Sequence, residues 1–193
     1  MRPILLSAAA LMLAACSSPL DPLASGFNRL IFASSGLPST AASVPTSGGA
    51  TYEGLLLLSP QDGGRALADF IGDTTLNATF DAGGAALSGA AQDFVNSDTA
   101  REVAGTIALT NGRIDRTSAI ADPEGSSSTG ALLVNADGTI TDTDGTAYAV
   151  DGVIFGDVVG PFGLYLTGTM SGDVATGGRT VAAGGQLVTE RVD

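Results

Sequence analysis

Three observations predict an all-β chain. From Ala50 onward apolar residues recur at every second position, Gly and Asp-Gly pairs punctuate the alternating runs, and further glycines fall in phase with the apolar face. The expected form is a small, water-soluble, antiparallel up-and-down β-barrel of about eight strands with its apolar side inward. From residue 16 onward, no stretch carries a 3.6-residue apolar stripe over three turns.

Residues 51–58, 65–71, 75–80 and 85–90 are the first candidate strands. In 102–110, Val103, Gly105, Ile107 and Leu109 share one face, and Glu102, Ala104, Thr106, Ala108 and Thr110 take the other. Residues 131–135 follow. In 146–156, Tyr148, Val150, Gly152, Ile154 and Gly156 fall together. In 163–172 the apolar face is Leu164, Leu166, Gly168 and Met170, opposite Tyr165, Thr167, Thr169 and Ser171, and 180–191 closes the series. The short loops between successive runs imply antiparallel neighbours. Gly54, Gly89, Gly105, Gly152 and Gly168 stand in mid-strand, where glycine costs entropy. Their repeated use points to strand bending or close backbone approach, as barrel closure requires; a Gly-rich sandwich is the alternative. The faces opposite the apolar ones carry Thr, Ser, Asp and Glu, and no aromatic girdles are present, so a transmembrane barrel is not expected.

Composition removes whole classes of chemistry. The 193 residues contain no His, and all eight positive charges are Arg, against 20 acidic residues, for a net charge of −12. Without His there is no Ser-His-Asp or Cys-His catalysis and no imidazole metal site; without Lys there is no Schiff base. The single Cys leaves no disulfide or thiolate cluster. The expectation is therefore not an enzyme, with no cofactor. The pI near 4.1 speaks against nucleic acid and against polybasic attachment to anionic lipid.

The lone cysteine, Cys16, ends a distinctive segment. Met1-Arg2-Pro3 supplies a positive start, residues 4–13 are apolar but too short to span a bilayer, and Leu13-Ala14-Ala15-Cys16 follows. This run resembles the lipobox of bacterial lipoproteins, which implies removal of residues 1–15 and a lipid on Cys16. The competing readings are an uncleaved anchor or an ordinary secretory signal cut after Ala15, which would leave a free thiol in an oxidising compartment. Ser17 and Ser18, in place of an Asp, resemble the pattern of Gram-negative lipoproteins sent on to the outer membrane. Residues 16–48 then read as the lipidated Cys and a flexible Ser/Pro-rich tether, because Pro19, Pro22, Pro38 and Pro45 break helices. About thirty such residues reach roughly 30 Å. Within them, Phe27-Asn28-Arg29-Leu30-Ile31-Phe32 is apolar enough to pack on the domain or form a short helix, and both options stay open. The barrel domain is expected over 49–193.

Several short segments carry a second resemblance. Val44-Pro45-Thr46-Ser47-Gly48-Gly49-Ala50-Thr51-Tyr52-Glu53-Gly54 looks like the opening strand of the transferrin-binding-protein-B-like β-barrel domain. Ala66-Leu67-Ala68-Asp69-Phe70 resembles its second strand, and residues 148–156, 166–172 and 184–188 resemble its closing strands. The resemblance implies an outer-membrane lipoprotein, often surface-displayed, that binds a host protein or a solute. A single barrel without a handle domain is expected here. The family's Gly-Pro-x-Ala-Glu-Glu-Gly-Gly segment appears only as Gly160-Pro161-Phe162-Gly163, so transferrin recognition and named binding residues do not carry over.

Other constellations compete with plainer readings. Asn135-x-Asp137-Gly138 and Asp142-x-Asp144-Gly145 offer hard oxygen ligands for Ca²⁺, but no closing Glu follows, and Asp-Gly is the favoured hairpin turn. Both are read as turns. Tyr52, Tyr148, Tyr165 and Met170 are the available haem ligand types and are read as core. Asp69 and Asp73 are a conceivable acid–base pair with nothing to fix their spacing. Residues 122–128 read as a long loop and the best contact region for a partner. The expected protein is a monomeric, non-enzymatic binding module for a protein or solute, anchored in the outer membrane through Cys16. The alternative is a periplasm-facing structural lipoprotein with no external ligand. Replacing Cys16 by Ser is expected to move the folded domain from the membrane fraction to the soluble fraction; retention in the membrane would refute the lipid anchor.

Overall fold

A computed structural model of the chain describes residues 18–39, 41–116, 120–121, 127–128 and 131–193. The alternating runs become long strands. β1 (Gly48–Asp62) leads through a two-residue flap, β2 (Arg65–Ala66), into β3 (Phe70–Phe80), β4 (Gly84–Asn96) and β5 (Arg101–Asp115). A small ribbon of β6 (Ile120–Ala121) and β7 (Ser127–Ser128) lies in the connection to β8 (Ala131–Thr141). β9 (Ala147–Val159), β10 (Tyr165–Thr176) and β11 (Arg179–Arg191) complete the order. The eight long strands pair antiparallel in sequence order, and β11 returns to β1 from Tyr52↔Arg191 to Gln61↔Ala182. That last pairing closes the barrel and leaves no long edge unpaired.

Period two decides what each strand buries. In β3, Phe70, Gly72, Thr74, Leu76, Ala78 and Phe80 are buried while Asp73, Thr75, Asn77 and Thr79 are exposed. The same alternation puts Leu56, Leu58, Ile107, Leu109, Ile140, Ile154, Leu166 and Leu187 in one continuous core inside the wall. An eight-stranded barrel is just wide enough for side chains to fill. Here Tyr52, Phe70 and Phe94 are the largest of the fully buried side chains that fill it. The outward positions are mostly polar, unlike the apolar band of a membrane barrel. Among the described residues no helix is long and apolar enough to cross a membrane.

Closure depends on a glycine. Gly54 lies between Thr74 of β3 and Thr189 of β11 in register, and a Cβ there would sit 2.1 Å from the Val188 carbonyl oxygen. Only a residue without a side chain lets β11 approach β1 this closely. The two threonines beside it are buried, and neither Oγ1 has a hydrogen-bond partner within the protein.

A helix covers the closing seam from outside. α1 (Leu20–Ser34) places Leu30 against Val159, Tyr165 and Val188, with Phe27, Ile31 and Leu37 beside them. Gly26 lets the helix approach Leu55, the outward partner of Val188. Arg29 pairs with Glu190 at 3.2 Å, and Glu190 also accepts a hydrogen bond from the Tyr165 hydroxyl. Both charged groups are substantially exposed, so the ion pair contributes little beside the apolar contact. After α1 the chain crosses to one mouth of the barrel, where Gly160 N–H donates to the Pro38 carbonyl and Val44 enters the main core.

Three expectations change. Residues 20–34 are a packed helix, not flexible tether, and this settles the open reading of 27–32. Pro22 lies in the first turn, where its missing N–H leaves no bond unmade, so it does not break the helix. Residues 65–71 are not one strand: 65–66 form the flap and Phe70 begins β3. Asn135-Ala136-Asp137-Gly138 is not a turn but the middle of β8. Gly138 is a wall glycine whose Cβ would sit 2.2 Å from the Thr106 carbonyl oxygen. The Asp142–Gly145 turn stands, closed by Gly145 N–H to the Asp142 carbonyl. Cys16 and its lipobox lie outside the described residues, as do 122–126 of the expected contact loop.

Substitutions at the seam are expected to act in opposite directions. Gly54→Ala should lower unfolding free energy in urea by about 3 kcal/mol through overpacking, whereas Thr189→Val, which removes an unpaired hydroxyl, should raise it by about 1 kcal/mol.

Candidate functional site

The filled interior leaves the outer wall and the two mouths as the places where another molecule meets this chain. The side chains weighed as haem ligands are spread through the packing. Tyr52 donates to the Gly163 carbonyl at 2.8 Å inside the barrel, and burial pushes its phenol up to about 12, with Arg191 opposing and Asp193 adding to the rise. It stays a neutral hydrogen-bond donor. Tyr148 packs edge-on against Phe70 with ring centres 4.8 Å apart, Met170 is buried, and Tyr165 lies outside under α1.

The acid pair is reassigned by the fold. The Asp69 carboxylate accepts a hydrogen bond from the Ser59 hydroxyl near the barrel mouth. The acidic groups acting on Asp73 are Asp93 and Glu53, not Asp69. Two irregularities bring Asp93 there. The β3–β4 register shifts between Ile71 and Asp73, and the β4–β5 register between Ala91 and Phe94. This bulge in β4 turns the Phe94 ring into the core, in space left by Gly72, whose Cβ would lie 2.6 Å from it. It also holds Asp93 at φ 52°, a left-handed conformation that Asp tolerates better than most residues, with an exposed side chain. No alternation rule signals a bulge, so the sequence did not reveal this pairing.

Asp73 and Asp93 line a groove of about 740 Å³ between the start of α1 and the β4–β5 wall, with Glu102 on its far side. Pro22, Leu23, Val95 and Val103 supply apolar lining, and no Arg lines it among the described residues. A second groove, of about 600 Å³, runs between α1 and β1, with Glu53, Asp73 and Arg29 among its lining residues. The first lies at the start of α1, and the second runs along it from Pro22 to Leu30.

Around the barrel a different acidic feature appears. Asp137, Asp151 and Asp173 lie directly opposite one another on β8, β9 and β10, all exposed. Like charges in opposed positions disfavour the sheet. Among the described residues, no group of three His, Cys, Asp or Glu side chains is arranged to hold a metal ion. Phe162, in the Pro161–Gly163 turn at φ 57°, is 80% exposed at the opposite mouth from the Asp142–Gly145 turn.

The chain matches no protein-family profile, and no curated protein is significantly similar to it.

Loss of solvent, first, and then the charges of Asp93 and Glu53 hold the Asp73 carboxyl above its ordinary value. A carboxyl raised in the fold binds more proton there than in the unfolded chain. Its cost is absent below the ordinary aspartate value of about 3.9 and fully present once pH exceeds the folded value. Asp73→Asn is therefore expected to raise the urea midpoint near pH 7 and leave it unchanged near pH 3. Equal midpoints at both would refute the clustering.

Proposed function

We propose that this chain is an outer-membrane lipoprotein, held by a lipid on Cys16, whose barrel is a non-enzymatic binding module. The observation that carries this reading is the packed interior beside open, acidic grooves on the wall. A barrel filled by Tyr52, Phe70, Phe94 and aliphatic side chains has its recognition surface outside, which suits a protein partner better than an enclosed solute. The missing catalytic residue types support binding over turnover.

The proposed kinship with the transferrin-binding-protein-B-like barrel rests on the closed eight-stranded order and on where its short segments fall. Residues 51–54 lie in β1, 148–156 in β9, 166–172 in β10 and 184–188 in β11. Only the 66–70 segment falls outside a wall strand for most of its length.

The docked helix supports a second reading, a periplasm-facing structural role. α1 begins four residues after Cys16, so the link between lipid and folded protein spans at most about 14 Å. That holds the barrel close to the headgroups. Protease added to intact cells separates the two. Cleavage before permeabilisation, with capture of a partner by the anchored protein, is the outcome expected of a surface binder. Protection until permeabilisation, with no partner captured, would refute it.

A further inference from the structure

We infer that the groove between the start of α1 and the β4–β5 wall docks a peptide segment of a partner protein in which Arg or Lys alternates with bulky apolar residues. This rests on the binding-module reading and names its site. The groove's volume of about 740 Å³ lies within the about 300–1,000 Å³ of ordinary ligand sites. Its chemistry is two-fold: Leu23, Val95 and Val103 give apolar surface, and Asp73, Asp93 and Glu102 give three carboxylates.

Charge complementarity selects the occupant. Arg29, the Arg that lines the neighbouring groove, is engaged with Glu190, and no Arg lines this groove among the described residues, so no ion pair is described for its three carboxylates. An anionic or purely aliphatic segment would leave that charge uncompensated on desolvation. A segment carrying cationic side chains forms charge-assisted hydrogen bonds with it while its apolar residues meet the lining. The bulge that exposes Asp93 is the structural device that brings β3, β4 and β5 carboxylates to one place.

The test uses the full chain in detergent and a fluorescent peptide of alternating Leu and Arg, with a Leu–Glu peptide as counterpart. The Leu–Arg peptide is expected to bind and the Leu–Glu peptide not. Asp73→Asn/Asp93→Asn/Glu102→Gln should weaken binding about tenfold or more while thermal stability stays equal or rises, because like charges are removed. A control variant, Asp137→Asn/Asp151→Asn/Asp173→Asn, removes the same charge from a distant part of the wall and should change affinity less than about twofold. Equal weakening by both variants, no binding of the Leu–Arg peptide, or a groove variant that loses binding only in step with its fold would each overturn the inference. The underlying reading is tested separately by capture from intact cells. A partner captured equally well by the groove variant sinks the groove alone; peptide binding with no cellular partner and no surface exposure sinks the binding-module reading alone.

Discussion

Pairing β11 with β1 imposes the constraint from which the rest of the structure follows. It brings the Val188 carbonyl against the face of Gly54, and it turns every inward side chain of eight strands toward one another. Once that seam is made, the interior has room for side chains and is filled by them. Among the described residues the wall also has no long free edge to offer a partner strand. Under the proposed binding role, recognition falls to grooves, turns and the helix that lies across the seam.

That helix changes the physical picture of the N-terminal region. A thirty-residue flexible spacer would let the barrel range over roughly 30 Å. With Leu30 packed on Val188 and Tyr165, residues 20–34 lie against the wall and do not act as a spacer. The groove lined by Pro22 and Leu23 consequently lies near the point where the proposed anchor joins the fold. Under the proposed anchoring, a partner reaching this groove would meet the barrel near the membrane surface.

The barrel itself was legible because alternation over eight strands is a repeated signal with one physical cause, burial of every second residue. Mid-strand glycines such as Gly54 and Gly168 carried the closure, since a wall this tightly curved needs places without a Cβ. What alternation does not encode was missed. Asp137-Gly138 has the composition of a turn, and only the proximity of Thr106 on the neighbouring strand shows why glycine is needed within β8. The prolines of 19–38 masked α1, because Pro22 falls in the one turn of a helix that accepts it. Asp93 reaches Asp73 through a register shift, a property of two strand pairings together and of neither strand alone. The candidate site was accordingly less readable than the fold: the sequence singled out Asp73 but paired it with Asp69.

Native-state hydrogen exchange across the seam tests the central claim, a barrel closed and packed such that nothing is held within it. The amides of β1 and β11 around Gly54 and Thr189 are predicted to exchange only through global unfolding, with the same opening free energy as the central amides of β4 and β5. If the seam amides opened separately and at lower free energy while β4 and β5 stayed protected, the interior would be accessible, and the assignment of recognition to the outer wall would be contradicted.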